Sequence, residues 1–350
     1  MSLTGQPLFV LLMVATVTCP LLFVLSLHRV RRVGWVRSAA QLLTVLTCQL
    51  LAVSTVFLWV NNQYGFYNSW SDLFGRSGGT ATITTNDLTP GTGTTQTLNV
   101  PGSPATGGDH GVLVWLPPQY NQPHHDHTRY PVLLVLPGQP STPDAMFAHF
   151  NFGTTATAAI DSGQVKPFIA VFPPLMTNPP RDTECTNIPG GPQAETWLSH
   201  DVPTSIQTQL RTDGSPWTAL GWSTGGYCAT KLLLHQPQQF GKAASFGGYY
   251  QPLTDHTTGN LFDNKINVRN YNSPTWLYHH GGLHGRQLLV VSGRQDHESY
   301  PSTASFLTAT HGDRGISSLI FPTGGHNYHN YSRYLPQTLQ WLQSSQRPSG

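Results

Sequence analysis

Charge is scarce in this chain. Asp, Glu, Lys and Arg make up 10% of 350 residues, against roughly a quarter in an average soluble domain. A folded surface must therefore be covered largely by Thr, Asn, Gln, His, Ser and Gly. The formal net charge is only +2, and much of the basic excess sits between Arg29 and Arg37. No basic patch fit to track phosphates is left, so nucleic acid is not an expected partner. Cysteine is scarce too, with four in all: Cys19, Cys48, Cys185 and Cys228. No stretch repeats at a fixed period, which removes solenoids and propellers from consideration.

Two stretches lack charge altogether. Leu8 to Leu27 holds 20 residues and Ala39 to Val60 holds 22. Each is long enough to cross a bilayer as a helix. Between them stand Arg29, Arg31, Arg32 and Arg37. The positive-inside rule puts this loop in the cytoplasm and everything after about Val60 outside. A cleaved signal peptide is the rival reading of the first stretch. It fits poorly, because Met1 to Pro7 carries no positive charge and no small-residue cleavage site is evident. Pro20 is tolerable within a membrane span. Asn61 to Tyr67 and Trp70 have the composition of an interfacial aromatic belt. Thr80 to Gly108 reads as a linker merging into the first edge strands. The expected organisation is a transmembrane hairpin over 1–60, a juxtamembrane segment and linker over 61–108, and a catalytic domain over 109–346.

Cys19 and Cys48 fall in the two spans. Cys185 and Cys228 are then the cysteines outside them, and an oxidising compartment is expected to pair them. Such a bridge would pin the Pro-rich loop around Cys185 beside the helix carrying Cys228.

Gly221-Trp222-Ser223-Thr224-Gly225 is the most informative motif. It reads G-x-S-x-G, a strained strand-to-helix turn that lifts a nucleophilic hydroxyl clear of a sheet. Trp217 to Leu220 before it reads as a buried strand, and Tyr227 to His235 after it as a helix. The partners of such a serine follow as acid, then histidine. Gln287 to Ser292 reads as a strand ending near Asp296 and Glu298. Ile316 to Phe321 reads as another, leading into Pro322-Thr323-Gly324-Gly325-His326. Ser223, Asp296 and His326 are thus each expected at the C-terminal edge of a parallel sheet, where such sheets build sites. His326 would take the serine proton, and Asp296 would hold the imidazole in one tautomer. Glu298 competes for the acid role, and His329 and His311 for the base. The oxyanion hole needs two backbone N–H groups. Thr224 should supply one. The loop Pro137-Gly138-Gln139-Pro140 should supply the other, from Gln139, because Pro140 has no N–H.

Elsewhere Gly111–Leu116, Val132–Leu136, Phe168–Phe172 and Ala243–Tyr250 read as strands. Ala145–Ser162, Glu195–Leu210 and Ser332–Ser344 read as helices, the last with Leu335, Leu339 and Leu342 on one face. This alternation predicts an α/β fold, a doubly wound and mostly parallel sheet. His124-His125-Asp126-His127 has metal-ligand residue types, but adjacent ligands in a loop rarely close a site. No metal and no cofactor are expected.

The segments Leu136-Pro137-Gly138-Gln139-Pro140, Gly221 to Tyr227 and Gly324-Gly325-His326 resemble the esterase D-like family of esterases. So do Tyr334 to Leu342 after the histidine, and Asp182 to Cys185 followed by Pro189 to Pro192 and Glu195 to Leu198. The family includes the actinobacterial mycolyltransferases, and the likeness covers about Gly111 to Gln343. The N-terminal pair of spans, ending in a motif like Asn62 to Gly75, is similar to membrane-tethered members. The resemblance implies an α/β-hydrolase fold with Ser223, Asp296 and His326 as triad and Gln139 and Thr224 as oxyanion donors. Mycolyltransferases proper carry a glutamate as the acid, where this chain has an aspartate. The expected activity is that of a membrane-anchored serine esterase or acyltransferase. Its substrate would be an ester or acyl lipid, and its acceptor water or a sugar or lipid hydroxyl. The competing readings are a tethered binding protein without turnover and a serine peptidase on the same fold.

Overall fold

The computed structural model describes residues 5–27, 34–64, 70, 91–102, 106, 110–177, 179 and 181–344. The chain divides into two compact units, Met1–Gly79 and Thr80–Gly350.

The first unit is a pair of helices, α1 (Gln6–Leu27) and α2 (Gly34–Tyr64). The windows Gln6–Val24 and Ser38–Asn62 are long and apolar enough to cross a membrane, a test that a signal sequence also passes. Several hydroxyls on them bond locally. Thr16 and Thr55 donate to the carbonyls of Leu12 and Leu51, four residues back. The two helices pack together: Thr16 Oγ1 lies 2.9 Å from Thr55 Oγ1, and Cys48 Sγ 3.1 Å from Cys19 Sγ. Arg29, Arg31 and Arg32, residues 65–67 of the aromatic belt and most of the linker lie outside the described residues.

The second unit is built on one eight-stranded sheet. Its strands are β1 (Thr94–Val100), β2 (His110–Leu116), β3 (Val132–Leu136), β4 (Ile169–Phe172), β5 (Trp217–Trp222), β6 (Phe240–Phe246), β7 (Gln287–Gly293) and β8 (Ile316–Phe321). The order is β1-β2-β4-β3-β5-β6-β7-β8. The β1–β2 and β2–β4 pairs are antiparallel, and the rest are parallel. Alternate side chains feed two cores, one on each face. Val112, Val114, Leu134 and Leu136 enter the first core, with Tyr227, Cys228 and Leu232 of the helix Thr224–His235. Leu113, Trp115, Leu133 and Val135 enter the second, with Leu335, Leu339 and Leu342 of the helix Leu335–Gln343. A mixed, mostly parallel sheet covered on both faces is the expected α/β-hydrolase architecture.

Several boundaries differ from the sequence reading. The Thr80 to Gly108 stretch, expected to be a linker merging into the first edge strands, contains β1, which pairs with β2 from Thr94↔Leu116 to Val100↔His110, so the sheet begins well before residue 109. Its polar sequence, Thr-Thr-Gln-Thr-Leu-Asn-Val, suits an edge strand in which only Thr95 and Val100 are buried. The helix expected over 145–162 is two, Pro143–His149 and Phe152–Asp161. They are broken at Asn151, whose φ of 46° is left-handed. The one expected over 195–210 is a short helix Ala194–Thr196, a π turn Trp197–Asp201 and a helix Val202–Gln209. Pro203 cannot donate the regular i→i−4 bond there. The last helix is likewise preceded by a separate one, Tyr328–Ser332, and begins at Leu335 with Pro336 in its first turn.

Candidate active site

The site is assembled where β5, β6, β7 and β8 end. β5 stops at Trp222, and Ser223 N donates to Phe246 O of β6 at 2.8 Å. The helix Thr224–His235 starts at once, leaving Ser223 with φ 55° and ψ −118°. A non-glycine residue there is strained, and the crossing elements hold it in place. A Cβ on Gly221 would lie 1.9 Å from Gly225 O, and one on Gly225 would lie 2.1 Å from Leu136 O. Only glycine allows β5, the helix and the end of β3 to approach so closely. A Cβ on Gly138 would lie 2.9 Å from Ser223 Cβ, so the Pro137–Pro140 loop passes directly beside the serine.

Ser223, His326 and Asp296 form a continuous line. His326 Nε2 lies 3.0 Å from Ser223 Oγ, and His326 Nδ1 lies 2.8 Å from Asp296 Oδ2. The tautomer that donates from Nδ1 to the carboxylate leaves Nε2 as acceptor for the serine proton. Asp296 is fully buried. Its Oδ2 also accepts from Tyr331 OH at 2.5 Å and Ser299 Oγ at 2.7 Å. Its Oδ1 accepts from the amides of Glu298 at 3.1 Å and Ser299 at 3.0 Å. Burial alone would raise its pKa, but the bonds and charge of His326, with Tyr331 and Ser299, hold it at about 2. The other candidates are not brought into this line. Glu298 is 62% exposed and reaches only Nε2 of His326, at 3.8 Å. His329 is exposed and bonds Arg333, and His311 is exposed on the surface.

Gln139 lies in the loop beside Ser223, with its side-chain amide on Met176 Sδ at 3.0 Å. Thr224 is the first residue of the helix, so its N–H has no intrahelical acceptor. The Cys185 and Cys228 sulfurs lie at bonding distance, 2.12 Å. His124 to His127 stay on a mostly exposed loop, where His125 Nδ1 lies 3.4 Å from Thr128 Oγ1.

Sequence reasoning missed the groups that surround this line. Tyr331 and Ser299 hold Asp296, and Trp222 stacks on the His326 ring with centroids 4.4 Å apart. Ser299 could have been suspected from its spacing, three residues after an acid, where a hydroxyl can return to the carboxylate. Nothing in the sequence ties Tyr331 to Asp296. Glu184 was also missed. Its buried Oε1 lies 2.5 Å from Tyr249 OH, which in turn lies 3.3 Å from Thr224 Oγ1. A cavity of about 840 Å³ lies away from all of this, at the opposite edge of the sheet, against Val132, Phe168, Thr218 and Leu342.

A strained serine on a strand–helix elbow, aligned with a histidine and a buried aspartate on this sheet, defines an α/β-hydrolase of the serine type. The family described as "Putative esterase" matches residues 103–342, and the chain belongs to it. An uncharacterized protein of Corynebacterium glutamicum is 27% identical over 253 residues, covering 66% of this chain and 56% of that protein. The chain thus spans little more than half the length of that relative. Among solved structures, an S-formylglutathione hydrolase of Agrobacterium tumefaciens superposes with a TM-score of 0.63 at 16% identity, covering 75% of this chain and 98% of its own. A ferulic acid esterase superposes with a TM-score of 0.59 at 18% identity, covering 71% and 96%. MPT51 of Mycobacterium tuberculosis does so with a TM-score of 0.53 at 18% identity, covering 71% and 99%.

Proposed function

We propose that the chain is a membrane-anchored serine esterase or acyltransferase whose catalytic unit works outside the membrane. The observation that carries this reading is the hydrogen-bonded line Ser223–His326–Asp296 ending on a strained serine. Ser223 Oγ attacks an ester carbonyl while His326 Nε2 takes its proton. Asp296 stabilises the resulting imidazolium, and the backbone N–H groups of Thr224 and Gln139 receive the oxyanion. His326 then returns the proton to the leaving alcohol, and an acyl-enzyme remains on Ser223. Water, or a sugar or lipid hydroxyl, takes up the acyl group with the same proton path reversed. The two apolar helices support the anchor. The paired Cys185 and Cys228 support an oxidising, extracytoplasmic setting. The anchor is the hairpin over 1–60, and the catalytic unit begins at β1.

The test is hydrolysis of p-nitrophenyl esters of graded chain length by the full chain in detergent, with and without a sugar acceptor. Wild-type protein should release p-nitrophenol and be labelled by a fluorophosphonate, and Ser223→Ala should do neither while keeping its thermal midpoint. Undiminished turnover in Ser223→Ala would refute the assignment. Acylated sugar among the products would mark the transferase branch.

A further inference from the structure

Glu184 stands outside the Ser223–His326–Asp296 line, yet it is buried beside the elbow helix, with 3% of its surface exposed. It sits in an unusual turn, since both Glu184 and Cys185 have left-handed backbones, with φ of 49° and 43°. Two successive non-glycine residues adopt that region only where surrounding contacts impose it. Three residues of the elbow helix supply those contacts. Lys231 Nζ donates to the Cys185 carbonyl at 2.7 Å and to the Glu184 carbonyl at 3.4 Å. Cys228 meets Cys185 sulfur to sulfur. Thr224 meets the Glu184 side chain through Tyr249, whose ring stacks on Tyr227 at 4.9 Å. Thr224, Cys228 and Lys231 are spaced i, i+4 and i+7, so they lie along one face of the helix. That face is clamped to the turn from its first residue onward.

We propose that Glu184 and Tyr249 are positioning residues for the oxyanion donor: their buried hydrogen-bond chain fixes Thr224 and so aims the Thr224 N–H. The proposal rests on the reading that this N–H receives the oxyanion. The first N–H of a helix has no intrahelical partner to set its direction. An anchor on its own side chain supplies that direction, and a small error of aim is costly in such a hole. The phenolic proton of Tyr249 serves one acceptor at a time. With Glu184 protonated, the carboxylic acid donates to Tyr249 and Tyr249 donates to Thr224 Oγ1. With Glu184 ionised, Tyr249 donates to the carboxylate and the Thr224 hydroxyl donates to Tyr249. The charged and titratable groups facing Glu184 are Asp182, Lys231, Tyr249 and Tyr227. Burial, followed by the charge of Asp182, pushes the Glu184 carboxyl up to about 8 against the opposing effects of Tyr249 and Lys231. The chain therefore runs from Glu184 toward Thr224 at neutral pH and reverses above about pH 8.

The experiment compares Tyr249→Phe, Glu184→Ala and Glu184→Gln with wild type as full chain in detergent, using p-nitrophenyl butyrate. Tyr249→Phe and Glu184→Ala should lower kcat about tenfold and leave KM within about twofold, because the aim of an oxyanion donor matters in the transition state rather than in binding. Glu184→Gln should recover most of the kcat lost in Glu184→Ala, since it restores a neutral hydrogen-bonding head. The wild-type kcat profile should bend near pH 8, and that of Glu184→Gln should not. An unchanged kcat in Tyr249→Phe would overturn the proposal. So would equal losses in the alanine and glutamine variants accompanied by a fallen thermal midpoint, which would mark a purely structural role. In either case a Ser223→Ala variant that is dead and unlabelled keeps the acyl-enzyme reading standing, whereas an active one removes that reading itself.

Discussion

Asp296 is a carboxylate without solvent contact that is nonetheless held ionised, at about 2, by five hydrogen bonds from His326, Tyr331, Ser299 and the amides of Glu298 and Ser299. Two consequences follow at this scale. Asp296→Asn should keep the fold and lower kcat by roughly 10⁴-fold, because an amide cannot hold the productive imidazole tautomer. Glu298→Gln should change kcat by less than about twofold, given its exposure. Steady-state rates of the two variants check this, and the opposite ranking would move the acid role to Glu298. The second consequence concerns acid. The folded pKa of Asp296 lies below its ordinary value of 3.8. Its stabilisation is therefore fully present above about pH 4 and is lost as pH falls through about 2. The shift corresponds to about 2 kcal/mol. Thermal midpoints measured between pH 4 and pH 2 should fall more steeply for wild type than for Asp296→Asn.

At the scale of elements, the central parallel strands are legible in the sequence because they are buried on both faces. Val132–Leu136, Trp217–Trp222 and Gln287–Gly293 are short apolar runs with turn residues close by. The edge is not legible. β1 is polar in sequence and mixes buried and exposed residues on both faces, so periodicity alone does not separate it from a linker. The helix break at Asn151 depends on packing that a local window does not contain, whereas Pro203 marks its break locally through the N–H it lacks. The candidate serine, histidine and aspartate were legible because motif spacing and strand ends mark them. Tyr331, Trp222, Tyr249 and Glu184 were not, because their contacts join residues 25 to 104 positions apart. The clamp on the elbow helix yields the prediction at this scale. The bridged cysteines are 43 residues apart, so the bridge should contribute about 4 kcal/mol by the chain-entropy model. Reductant should lower the thermal midpoint and alter chain-length preference together, because the same turn abuts the serine's helix. Two free thiols found by mass spectrometry at Cys185 and Cys228 in exported protein would refute the bridge and leave the acyl-enzyme reading intact.

For the whole molecule the question is orientation. The two apolar helices, with four arginines between the spans, predict that both ends of the pair face outward. A reporter that matures only outside the membrane should be active when fused after Ser71, and a cytoplasm-only reporter there should be silent. The reverse pattern would overturn the two-span reading. Replacing Arg29, Arg31, Arg32 and Arg37 with neutral residues should lower the fraction of correctly oriented protein. Composition fits this arrangement. A chain with so few charges leaves its orientation to a handful of arginines, and its catalytic surface to uncharged polar side chains.

The indole of Trp222 lies face to face with the His326 ring, 27° from parallel and 4.4 Å away. In the proposed cycle that imidazole becomes a cation and then neutral again in each half-reaction, directly over the π-face of a fluorophore. Turnover is therefore expected to modulate the Trp222 share of tryptophan emission. The emission change during turnover of a non-chromogenic ester should be present in wild type and absent from a Trp222→Phe variant, which would make the indole an optical gauge of the proposed base.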